Sequence, residues 1–284
     1  MTPLTTPVRT CAIRSKRVIQ RIRRCSRYAV GLLVTTVAIG AVLTQPGFAA
    51  RPAPDTVLLE RLTWTEVRDA VRAGKTTVII PAGGTEQSGP YVALGKHNRR
   101  VAVLSERIAR TLHNALVAPV IAYVPEGTVT PLTEHMRFPG TITVPPDVFE
   151  KTLESAAESF RAHGFTDVVL LGDHGGYQSS LRAVADRLNR RWAATAARAH
   201  DVAEYYRPAG GGHADLADTS LMLAIDPSMV REEQLRSGPR PGASEGVYGD
   251  DPRAASAQRG SAAADAQVAA AVRAIRRAMS RGRK

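Results

Sequence analysis

Cysteine is confined to Cys11 and Cys25, and the 284-residue chain has none after them. The remainder therefore forms no disulfide, offers no thiol nucleophile and builds no thiolate metal site. Any metal it holds must be bound by imidazole and oxygen. Aromatic residues are scarce, at 5%. The HExxH spacing of helix-borne zinc sites does not occur, and there is no internal repeat or low-complexity domain.

Acids are missing from both ends. Residues 1–27 hold eight basic residues and no acid, residues 28–43 are almost continuously apolar, and a short stretch ending Ala49-Ala50 follows. That order predicts a signal peptide over residues 1–50, cut near Ala49 or Ala50, and hence a periplasmic or secreted protein. The alternative is a retained N-terminal anchor that tethers the protein to a membrane, although a spanning helix needs about 20 apolar residues. Without the eight leader charges the formal charge falls from +12 to +4, and six further basic residues sit in the acid-free tail 271–284. The body is thus near neutral, which argues against a nucleic-acid partner despite a pI of 10.4. The tail reads as a solvated helix end, or as a patch drawn to an anionic surface.

Between these ends, short apolar runs alternate with amphipathic stretches. Strands are expected at 76–80, 117–124, 168–171 and 201–206, with helices at 58–68, 99–115, from 147, 179–197 and 262–279. This is the βαβ pattern of a mostly parallel sheet covered on both faces, a three-layer α/β/α sandwich over residues 51–260, followed by a basic Ala-rich helix in 261–284. Two of the runs empty into chemistry. Residues 76–80 lead through Gly83-Gly84 to Glu86 and His97, and residues 168–171 lead to Asp173, His174 and two glycines. In open α/β sheets the C-terminal strand edge is where ligands bind, so both loops are expected to face one site.

Seven histidines are available. His113, His163 and His200 fall at helix faces or ends and read as structural. His97, His135, His174 and His213 lie in loops or glycine clusters near Glu86, Glu134, Asp173, Asp215 and Asp218, a mixture that suits a divalent ion of the zinc or manganese type.

The stretch PAGGTEQSGPYVALGKH, residues 81–97, resembles the first signature of the creatininase (creatinine amidohydrolase) family. The resemblance continues through Phe138-Pro139-Gly140-Thr141, Gly164-Phe165, His174-Gly175-Gly176, His213-Ala214 with Asp218-Thr219-Ser220, and Gly246-Val247-Tyr248-Gly249-Asp250. It implies an α/β/α sandwich, a homo-oligomer, and divalent metal activating water to open cyclic or linear amide bonds of a small molecule. Position by position, Glu86 and His174 keep metal-ligand types, Asp218 stands at a glutamate, and His213 stands at the histidine that handles a proton. Ser88 replaces a ligand histidine and His97 replaces the aspartate that bridges two ions, so one ion held by Glu86, His97, His174 and Asp218 is favoured over two. Zinc is the first expectation, with manganese or iron as alternatives. Tyr91, Asp173 and Tyr177 also depart from the common pattern, and with Ser88 and His135 they are the candidate substrate-binding residues. The expected function is an exported metal-dependent hydrolase of a C–N amide-like bond. The alternative is a binding protein on the same scaffold that has lost its dinuclear site.

Overall fold

A computed structural model describes residues 54–206 and 212–281. The expected signal peptide or anchor lies outside the described residues, as do the last three residues of the tail. Among the described residues no helix is long and apolar enough to cross a membrane.

Four strands form a parallel sheet in the order β2-β1-β3-β4, where β1 is Thr77–Ala82, β2 Ala115–Val117, β3 Asp167–Gly172 and β4 Arg198–Asp201. Strands β1 and β3 are buried along their whole length, which is why they read as unbroken apolar runs. Helices α1 (Trp64–Arg72), α3 (Pro146–Ala162) and α4 (Gln178–Arg191) supply side chains to one core, with Val78, Ile80 and Leu170 of the sheet. The opposite core joins Ile79, Val169 and Leu171 to α2 (Lys96–Leu112), α5 (Ala203–Tyr206), α6 (Leu216–Ile225) and α8 (Ala257–Arg281). A short helix, α7 (Glu232–Ser237), belongs to a third, smaller apolar cluster. The three-layer α/β/α sandwich expected from the sequence is thus present.

Several boundaries differ from expectation for local reasons. The first α-helix begins at Trp64 because Thr63 and Glu66 form a capping box, with only a 3-10 turn, Leu59–Arg61, before it. Strand β1 continues through Pro81, since β2 ends at Val117 opposite Ile79 and no ladder partner on that side requires a Pro81 N–H. The run 117–124 is mostly irregular, and 201–206 is the end of β4 plus α5 rather than a strand. The C-terminal helix begins at Ala257, and its Ala271, Val272 and Ile275 are buried in the core, while Arg276, Arg277, Ser280 and Arg281 beyond them are exposed, a solvated helix end.

The sheet order places a change of direction between β1 and β3. The chain leaves β1 into α2 on one face and leaves β3 into α4 on the other, which opens a crevice at the strands' C-terminal ends.

Gly260 fixes how closely α8 crosses α6. A Cβ there would stand 1.8 Å from the Ser220 carbonyl oxygen, a backbone atom that cannot swing aside. Alanine normally gains about 1 kcal/mol over glycine in a helix, but overpacking costs about 1–3 kcal/mol. Gly260→Ala is therefore expected to lower stability in chemical denaturation, and an unchanged or raised midpoint would contradict that crossing.

Candidate active site

Glu86 is fully buried where the β1 loop crosses the crevice. Its two oxygens have opposite surroundings. Oε1 lies 2.6 Å from His97 Nε2, 3.5 Å from Lys96 Nζ and 3.5 Å from His213 Nδ1. Oε2 lies 3.2 Å from a ring nitrogen of both His135 and His174, yet it makes no hydrogen bond. Facing it is Glu126, buried and without a hydrogen-bond partner on either oxygen. Glu126 fits there because Gly84, at φ +146°, has no side chain: a Cβ would stand 2.5 Å from Glu126 Oε1.

Glu86, Glu126, His135 and His174 bring one ligand atom each within 4.8 Å of one another. Two imidazoles and two carboxylates are donors suited to zinc, manganese or iron. Buried acids without partners are costly unless a proton or a cation neutralises them. Burial and the neighbouring Glu86 charge push the Glu126 carboxyl up to about 10. Burial, helped by His97 and Lys96 and opposed by Glu86, pushes His174 down to about 3, which keeps its imidazole neutral and able to donate a lone pair. The residues present fit a divalent cation.

On the other side of Glu86 the charges are already answered. Both nitrogens of His97 lie against carboxylates, Nε2 on Glu86 and Nδ1 at 2.7 Å from Asp173 Oδ2, so neither is free for a metal. Burial opposes its charge, but Glu86 and the two hydrogen bonds outweigh burial and raise its pKa. Arg100 donates to Asp173 at 2.7 Å and to Asp218 at 2.8 Å, and Lys96 donates to Asp218 at 2.6 Å. The Tyr205 hydroxyl donates to Asp173 Oδ1 at 2.6 Å.

The expected site residues therefore divide. Glu86 and His174 come together as expected for ligands, while His97 and Asp218 are committed to the ion-pair network. His135, expected at the substrate, stands in the ligand group. His213 lines the same cavity, its ring 4.4 Å from that of His135, and its Nε2 is 2.9 Å from Gln87 Nε2. Burial and Lys96 push His213 down to about 3. Of the remaining candidates for substrate contact, Ser88 is buried and donates to the Glu86 carbonyl at 3.4 Å. Tyr91 packs in the third apolar cluster and donates to the Pro239 carbonyl. Asp173 is enclosed by His97, Arg100 and Tyr205. Tyr177 is buried and donates to the Ala82 and Gly83 carbonyls. None of Ser88, Tyr91, Asp173 and Tyr177 lines the cavity.

Glu126, Lys96 and Arg100 escaped the sequence reading. Glu126 did carry a signal, because it follows the apolar run 117–124 as Glu86 follows its own. Two non-glycine residues with positive φ flank the candidate histidines: Glu134 at 48° beside His135, and Ala214 at 52° beside His213. Such backbone conformations gather at functional sites.

A family model described as creatinine amidohydrolase, Creatininase, matches residues 60–275. The mycofactocin precursor peptide peptidase of Mycobacterium tuberculosis (strain CDC 1551 / Oshkosh) is 30% identical over 178 residues, covering 58% of this chain and 64% of that protein. The chain therefore spans less than two thirds of that relative. A crystal structure of creatinine amidohydrolase (creatininase) superposes with a TM-score of 0.67 at 22% identity, over 79% of this chain and 98% of that one. A structure described as "Creatininase Mn" gives 0.66 at 22% identity, over 79% and 99%.

In ion-free protein Glu126 holds its proton up to about pH 10, whereas in the unfolded chain it ionises near the ordinary 4.5. The folded state then binds more protons than the unfolded state across that interval, so stability falls as pH rises. Glu126→Gln keeps the shape and removes this titration. Denaturant unfolding of chelated protein between about pH 5 and about pH 9 is expected to show a flatter slope in the variant; an identical slope would contradict the placement of Glu126.

Proposed function

The chain belongs to the creatininase family, and on that premise we propose that it is a metal-dependent hydrolase of a C–N amide bond. The observation that carries the proposal is the set of buried, unpartnered oxygens of Glu86 and Glu126 facing the rings of His135 and His174. These four residues would hold one divalent ion, zinc or manganese by donor type. When bound, the ion lowers the pKa of water and polarises the carbonyl under attack.

The chain's own residues do the rest. Gln87 lies against both His135 and His213 and donates to the Gly246 carbonyl at 3.0 Å, which fixes the two rings relative to each other. Neutral His213, on the cavity wall, is placed to accept the proton that the attacking water gives up and to pass it to the departing nitrogen. Lys96 and His97 keep Glu86 ionised, its pKa held well below the usual range by their charges against the opposing effect of burial.

The cavity holds about 200 Å³ and is walled by His174, His213, Tyr206 and Gln267 among others. Pockets for drug-sized ligands run from about 300 to 1,000 Å³. This one suits a single amide and its immediate substituents, so a small cyclic amide or the end of a short peptide is the substrate class. The peptidase relative supports an amide of peptide type. The leader composition supports action after export.

Full chain reconstituted with zinc or manganese is expected to release amine from members of a panel of cyclic amides and short peptides, and chelation is expected to abolish that release. Glu126→Ala and His174→Ala should lose the ion and the activity together. His213→Gln should keep the ion and lose at least about 10²-fold in kcat. Metal-loaded protein that opens no amide of either class would contradict the proposal, as would full activity after the ion is stripped.

A further inference from the structure

Each carboxylate oxygen on the Lys96 side of Glu86 has a partner. Asp218 Oδ2 accepts from Lys96 at 2.6 Å and from the Ala214 N–H at 3.0 Å, and Oδ1 accepts from Arg100 at 2.8 Å. Asp173 Oδ2 is shared by His97 and Arg100, and Oδ1 accepts from Tyr205. Glu86 Oε1 faces His97 and Lys96. On the opposite side, Glu86 Oε2 and both oxygens of Glu126 have no hydrogen-bond partner, with the rings of His135 and His174 nearby, 3.2 Å from Glu86 Oε2 and, for His174, 3.6 Å from Glu126 Oε2. The boundary between oxygens with and without hydrogen-bond partners runs through one carboxylate.

Lys96 occupies the decisive place. Its side chain has no exposure, and its ammonium bridges Glu86 Oε1 at 3.5 Å and Asp218 Oδ2 at 2.6 Å, the one cation that contacts both carboxylates among the described residues. Metal ions bridge carboxylates in the same way. Ser88, two residues after Glu86, turns back to the Glu86 carbonyl at 3.4 Å. A second divalent ion here would have to expel Lys96 from a buried position and sit beside the like charge of Arg100.

The geometry points to Lys96 as a resident cation that fills the place of a second metal ion, so that the site takes one divalent ion per chain and no more. This rests on the proposed metal-dependent reading. Lys96 cannot be chelated away, so Glu86 and Asp218 keep a counter-charge when the exchangeable ion leaves.

The test is a count of ions. Full chain is stripped with chelator, saturated with Zn²⁺ or Mn²⁺, freed of loosely held ions by gel filtration and analysed by elemental mass spectrometry. Circular dichroism reports folding. Wild type is expected to hold one ion per chain even after excess metal, and Lys96→Arg, which keeps the charge, also one. Lys96→Met and Lys96→Gln open the position, and the count is expected to double. Two ions in wild type would overturn the inference while leaving the hydrolase reading intact, and so would a folded Lys96→Met that still holds one. No ion in wild type would overturn the hydrolase reading itself. Should both Lys96 variants fail to fold, the wild-type count decides.

Discussion

A carboxylate removed from water needs a proton, a cation or a hydrogen-bond donor at each oxygen, and Glu86 meets that need at one oxygen from within the protein. Its Oε1 is answered by His97 and Lys96, while its Oε2 joins Glu126 without a donor. Much of the surrounding structure follows from this imbalance. Gly84 makes room for Glu126, Asp173 and Asp218 hold the cations that answer Oε1, and the rings of His135 and His174 close the unanswered side.

The sheet puts these groups in one place. Because β1 and β3 are neighbours whose outgoing chains leave to opposite faces, the Glu86 loop and the His174 turn meet at their C-terminal edge. The start of α2 then brings Lys96, His97 and Arg100 to the same spot. Its first turn carries no acid, although the positive end of a helix dipole disfavours cations by about 0.3–1 kcal/mol each. Local rules are broken there and satisfied only by acids from distant segments, which is what a site specified for function looks like.

That conflict also explains what could be read from the sequence. Residues 76–80 and 168–171 announced themselves because doubly buried parallel strands are apolar throughout, and Glu86 and His174 were legible because they follow at once. The start of α2 was hidden because Lys-His-Asn-Arg is a poor helix opening by local criteria. The placement of His97 and His135 was hidden for a related reason: both are histidines in polar surroundings, and that His97 is enclosed by carboxylates depends on Asp173, 76 residues away. Asp218 looked like a ligand, but its partner Lys96 is 122 residues away. Glu126 follows the run 117–124 as Glu86 follows its own, but no histidine and no glycine pair stands next to it to mark the position.

Where the exchangeable ion sits decides how the two sides of Glu86 differ. Anomalous diffraction from crystals of the full chain loaded with zinc or manganese would locate it directly. The expected result is a single peak per chain enclosed by Glu86, Glu126, His135 and His174, with the Lys96 ammonium still between Glu86 and Asp218. A peak coordinated by His97 or Asp218, or a second peak in the place of Lys96, would contradict it.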